Sequence, residues 1–162
     1  MRLVVYPDAR VVVTAPVSYG IGIIERFLEK HSEWLHRRLA RTAGRKFIHI
    51  KKAEIEVLKK RALQLAGERC AYVARQYGLQ YKKITIRAQK SRWGSCSRAG
   101  NLSFNYKIAA LPSHIAEYII VHEVCHLAEM NHSKRFWTLV AQAIPNHTQL
   151  RKELRNVAIV YH

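Results

Sequence analysis

A chain of 162 residues, 49% of them hydrophobic, is long enough to bury one core and short for two, so a single domain over 1–162, subdivided near residue 50, is expected. No apolar run approaches the roughly 18 residues of a membrane span, and MRLVVYPDAR places a proline and an aspartate where a secretory leader needs unbroken apolar sequence; a cytoplasmic protein without a membrane partner is expected. Lys and Arg number 28 against 11 Asp and Glu, a net +17, which disfavours basic partners and leaves two readings, a solvated cationic face or a surface that recruits nucleic acid or nucleotides.

Residues 2–6 and 10–14 are β-branched runs either side of Pro7-Asp8-Ala9, which predicts an N-terminal β-hairpin. Apolar residues then recur at three and four from Ile23 to Leu39, predicting one amphipathic helix over 18–43 that stops at Gly44. A second helix is expected over 52–77, closed by Gly78 and carrying much of the positive charge. The alternation at 83–87 and the runs 92–96 and 101–105 predict an antiparallel β-meander. Leu111-Pro112 ends it and offers Ser113 as the cap of the next helix. Further helices are expected around 136–144, ended by Pro145, and over 150–157. Cys70, Cys96 and Cys125 are odd in number and widely spaced, which fits reduced thiols and no disulfide framework.

The helix after Ser113 carries the chemistry. Within VHEVCHLAEMNHS, His122 and His126 are four apart and so lie one turn apart on one side of a helix, about 6 Å from each other. That spacing suits a shared metal ion, and Glu123 beside them can act as general base on a water at the metal. The alternative is two surface histidines on an ordinary helix, against which stand the apolar neighbours Ile119, Ile120, Val121 and Val124. His132 is the candidate third ligand. An unbroken helix would turn it about 120° off the shared face, so the helix must break first. Asn131, which tolerates the left-handed conformation, and Ser133, a good N-cap, predict the break. Cys125 points away from both imidazoles and is assigned to the core.

Several of these stretches together resemble a known family. Ser91-Arg92-Trp93-Gly94-Ser95-Cys96-Ser97, Asn101-Leu102-Ser103-Phe104-Asn105, Leu111-Pro112, His122-Glu123-x-x-His126 and Asn131-His132-Ser133-x-x-Phe136-Trp137 look like the YgjP-like metal-dependent hydrolases, small zincin-like proteins distantly similar to the SprT-like peptidases. The opening RLVVYPDARVVVTAP is similar too, so the resemblance spans nearly the whole chain. It implies an α+β zincin-like domain with an active-site helix, zinc held by His122, His126 and His132, Glu123 as the catalytic residue, and peptide or protein substrates. It also implies a runner-up, hydrolysis of nucleoside triphosphates; a third reading is a nucleic-acid-associated protein whose metal site is secondary. In such a fold the strand before the metal helix borders the cleft, which makes Trp93, Gly94 and Ser95 candidate substrate residues. Trp93 is either a cleft wall or a core residue. Gly94 either admits a substrate backbone or marks a bulge, and Tyr106 either stabilises an oxyanion or packs at a strand end.

Overall fold

The computed structural model describes residues 1–6 and 8–162. Pro7, assigned above to the hairpin turn, lies outside them. The protein is α+β and divides into two compact units, one formed by Met1–His49 with Asn156–Tyr161, the other by Ile50–Arg155 with His162.

In the first unit β1 (Arg2–Val5) and β2 (Val11–Thr14) pair antiparallel with Leu3 opposite Val13, and Ala9 takes a left-handed φ of 64° between them. The expected helix over 18–43 is two helices, α1 (Ile21–Lys30) and α2 (Ser32–Ala40). They are separated at His31, whose φ of −107° and ψ of 11° leave the helical region and whose Nδ1–H donates to the Phe27 carbonyl at 2.8 Å. Periodicity runs through such a break because the apolar residues on both sides face one way. The strands β3 (Lys46–Ile50) and, near the C-terminus, β7 (Val157–Tyr161) are neighbours in a second small sheet that the sequence reading missed. Both are runs of five rich in β-branched and aromatic residues, too short for their alternation to stand out beside long helices.

The second unit is organised by α3 (Ile55–Tyr77), which buries Leu58, Ala62, Ala66, Cys70 and Val73 at helical spacing. Gly78, at φ 63°, ends it, and the Leu79 N–H closes back on the Ala74 carbonyl at 2.8 Å. Then come β4 (Lys83–Arg87), β5 (Gly94–Cys96) and β6 (Asn101–Asn105), followed by a 3-10 helix, Tyr106–Ala110. These strands do not form the expected antiparallel meander. Their order is β4-β6-β5, with β5 antiparallel to β6 and β4 parallel to it. Residues 88–93 therefore carry the chain past the end of β6 to its far side. The buried Asn105 holds that crossing: its Nδ2 donates to the carbonyls of Gln89 (2.6 Å) and Arg92 (3.0 Å), and its backbone N–H donates to that of Trp93 (2.8 Å). Alternation identifies each strand, whereas neighbour order is set by such contacts distant in sequence.

Helix α4 (Ser113–Cys125) starts one residue earlier than its expected cap: Pro112 holds the N-cap position and its carbonyl receives the N–H groups of Ile115 and Ala116, both at 3.0 Å. Helix α5 (Lys134–Ala143) is capped as expected by Ser133, whose Oγ accepts from the Phe136 N–H at 3.3 Å. The expected helix over 150–157 is α6 (His147–Arg155), which ends before Val157 because the remaining residues enter β7. Phe104, Ile108, Ile115, Ile120, Val124, Phe136 and Val140 form the centre of the core, all fully buried. No helix among the described residues is long and apolar enough to cross a membrane.

Replacing Asn105 with Ala removes the side-chain donor to the Arg92 carbonyl and leaves the Gln89 carbonyl with the longer bond from Lys107 Nζ at 3.4 Å, so we expect a loss of about 1–2 kcal/mol in unfolding free energy by urea titration. A loss below about 0.5 kcal/mol would show that the crossing is held by other contacts.

Candidate metal centre

Helix α4 is buried from its second turn onward, enclosing Ile115, Tyr118, Ile119, Ile120, Val121, Val124 and Cys125, and leaves Ser113, His114 and part of Glu117 to solvent. Glu123 and His126 are the buried polar residues of the same segment. The helix ends at His126, whose φ of −65° and ψ of −18° keep its side chain in phase with His122. Tight turns follow at once, with the N–H groups of Leu127 and Ala128 bonded to the carbonyls of Val124 and Cys125. The break thus comes five residues before Asn131, which is not left-handed; among the described non-glycine residues only Ala9 has positive φ. The early stop gives the chain room to return, and Ser133 starts α5 with His132 directed back at the pair.

The imidazoles of His122, His126 and His132 converge, with a possible ligand atom from each lying within 4.8 Å of the others. The Nε2 atoms of His122 and His132 are 3.0 Å apart, close to the roughly 3.3 Å that two nitrogens adopt on a tetrahedral ion at 2.0–2.1 Å. His126 Nδ1 lies 2.9 Å from the Glu129 carbonyl, which can only accept, so Nδ1 carries the proton and Nε2 keeps its lone pair for the centre of the cluster. His122 has no such carbonyl. Its Nδ1 is buried without a hydrogen-bond partner, and its ring is set instead by Phe136 at 4.9 Å and Trp137 at 5.9 Å. His132, the most exposed of the three, stacks on Trp137 at 5.7 Å and 23°, and Trp137 stacks in turn on His147 at 5.3 Å.

Burial pushes the His122 pKa down to about 3, helped by His126 and His132, and burial also lowers that of His132. Both rings are therefore neutral and hold lone pairs near one another, an arrangement that a cation stabilises. The donor set fits a divalent metal, and neutral imidazole is a zinc ligand. Cys125 is fully buried, its thiol pushed up to about 12 by burial, and stands outside the donor cluster.

Glu123 is 8% exposed and does not belong to that cluster. Burial raises its carboxyl to about 7, against the opposing pull of the Arg92 guanidinium. Its side chain rests on Gly94 of β5, where a Cβ would meet Glu123 Cγ at 2.6 Å and Oε1 at 2.9 Å. The close approach that Gly94 permits is thus made by this carboxylate. A cleft of about 220 Å³ lies alongside, lined by Arg92, Trp93, Gly94, Tyr118, His122 and Glu123 among others. Trp93 and Gly94 thus reach the cleft. Ser95 faces Ser103 across the β5–β6 pair and does not line it, and Tyr106 is buried in the 3-10 helix away from it. The phenol on the cleft wall belongs to Tyr118, one turn before His122, a residue to which the sequence reading assigned no role. Its i−4 spacing from a metal-ligand candidate was the available signal.

Gly94→Ala should force Glu123 or β5 to move, destabilising the protein by about 1–3 kcal/mol. In a Glu123→Ala background the same change should cost less than half as much, as a double-mutant cycle in urea would read. Equal costs in the two backgrounds would show that Glu123 does not occupy the space above Gly94.

Residues 45–157 match the family model described as YgjP-like, metallopeptidase domain. Among solved structures, the zymogen of the metallopeptidase abylysin from Pyrococcus abyssi is similar with a TM-score of 0.51 at 21% identity, over 55% of this chain and 90% of that one. The zymogen of jannalysin from Methanocaldococcus jannaschii gives 0.50 at 16% identity, over 56% and 93%. At these identities the likeness is one of fold. Comparison with curated proteins yields no significant match. The family match covers more than half of the chain and includes all three imidazoles, Glu123 and Gly94, and the protein belongs to the YgjP-like family.

Proposed function

We propose that this protein is a zinc-dependent peptidase with a zincin-like active site, its metal held by His122, His126 and His132, and that residues 1–162 work as one metallohydrolase domain. The observation that carries this reading is the convergence of three imidazoles beside a carboxylate that is buried but not a member of their cluster. Three protein ligands leave a fourth position for water and substrate, the arrangement of catalytic zinc. A bound divalent ion supplies Lewis-acid polarisation of the scissile carbonyl and acidifies water. Glu123 takes the proton of the attacking water and delivers it to the leaving amide nitrogen. Gly94 keeps the carboxylate close to β5, and Trp137, stacked on His132, holds the most exposed ligand in place. Trp93 walls the cleft, while the Tyr118 hydroxyl, whose pKa burial raises, stays protonated as a hydrogen-bond donor at its edge. The three free cysteines suit a reducing, cytoplasmic setting.

Protein purified without chelator should carry about one equivalent of divalent metal by elemental analysis, and His122→Ala, His126→Ala and His132→Ala should each lower that severalfold. Stoichiometric metal in all three variants would refute the ligand set. Glu123→Gln keeps shape while removing the base, so metal content should be near normal and hydrolysis of a quenched peptide library at least 100-fold lower. Wild-type rates in that variant would refute the proton-transfer role, and loss of its metal would make Glu123 a ligand.

A further inference from the structure

Two clefts adjoin the imidazole cluster. The smaller, at His122 and Glu123, has Arg92 in its wall; the larger, about 460 Å³, is lined by His126 together with Lys82 and Arg98. They share no lining residue, and each takes in a different imidazole of the cluster, His122 in the smaller and His126 in the larger. Glu123 is the sole carboxylate in either lining. From α6, Arg151 sits over the Trp137 ring at 5.0 Å, one ring away from His132.

These cations are exposed, and among the described residues no carboxylate lies within ion-pair distance of Lys82, Arg92, Arg98 or Arg151. Several acids are paired elsewhere: Glu33 with Arg37, Glu56 with Lys59 and Glu117 with Arg69. Positive charge without a contact ion pair is thus set along the two clefts, offset only by the buried Glu123 near Arg92, and low-dielectric walls focus its field on whatever lies over the centre. A positively charged chain is repelled there, and a negatively charged one is drawn in and held in register.

Resting on the reading of the site as a peptidase, we propose that it selects acidic peptides: Arg92 on one side of the scissile bond, and Lys82 with Arg98 on the other, receive Asp or Glu side chains of the substrate, and Arg151 strengthens the same field. The cations are spread over two separate clefts instead of converging on one point, which suits carboxylates spaced along an extended chain better than a compact triphosphate.

The test uses metal-loaded full-length Glu123→Gln protein and fluorescein-labelled peptides that differ only in carrying Asp and Glu, Asn and Gln, or Lys around a common centre. Anisotropy at low salt should show the acidic peptide binding at least tenfold tighter than the amide peptide, with the Lys peptide weakest and the preference shrinking as salt is added. Wild-type kcat/KM on quenched versions should rank the same way. Adding Arg92→Gln and Arg98→Gln should bring the acidic-to-amide ratio toward one, with metal content checked on each protein; Arg92→Glu with Arg98→Glu should shift preference toward Lys. Equal binding of the three peptides, or a preference that survives both Gln substitutions, overturns the proposal. A nucleoside triphosphate that displaces the acidic peptide with higher affinity overturns it in favour of nucleotides. Metal-dependent cleavage of amide peptides without acidic preference sinks this inference alone, whereas absence of metal-dependent cleavage of any peptide sinks the peptidase reading with it.

Discussion

The contact of Glu123 with Gly94 ties together everything around the candidate centre. At Glu123 helix α4 is buried, so the carboxylate there can be accommodated only where its neighbour leaves space, and β5 leaves that space by having no side chain at one position. The contact sets the distance between strand and helix. It also places Arg92 and Trp93, next in the chain, on the wall of the same cleft. A larger residue at 94 would push β5 off α4 or turn the carboxylate away from the imidazoles.

That arrangement in turn needs β5 on the correct side of β6. The crossing at 88–93 puts it there, and Asn105 holds the crossing from the end of β6 with a side chain that satisfies two carbonyls at once. Strand order, glycine and carboxylate form one chain of dependence from the sheet to the cleft. Small residues on α3 permit the helix to lie against α4 and the 3-10 helix, closing the core behind.

Electrostatically the centre is unusual in the direction of its shifts. Burial holds His122 and His132 neutral and raises the Glu123 carboxyl, each change disfavouring charge in the absence of a cation. A bound divalent ion reverses that balance, because it supplies the charge that neutral donors and a nearby carboxylate lack. Outside the buried centre the charge is positive: Lys82, Arg92, Arg98 and Arg151 lie around it, and among the described residues none of them is within ion-pair distance of a carboxylate. Under the proposed reading, holding the metal falls to the buried cluster and choosing the substrate to the cationic rim.

How much of this was legible beforehand differs by the range of the interaction. Local rules sufficed for the histidine pair, since spacing of four places two side chains on one helical face in any context, and for Ser133 as the cap of α5 and Gly78 as the stop of α3. They sufficed also to say that His132 must follow a break, though the break falls at His126 and not at Asn131. The parallel pairing of β4 with β6 was beyond them, because alternation is the same for parallel and antiparallel neighbours and the decisive hydrogen bonds of Asn105 span 13 and 16 residues. The partner of Gly94, the place of Tyr118 on the cleft wall and the cationic rim were likewise decided only in three dimensions, since each joins residues from elements far apart in the chain. Sequence by itself determined which groups the protein has for chemistry and which of them share a helical face; tertiary structure decided what each is packed against, and with it their charge states and the shape of the cleft.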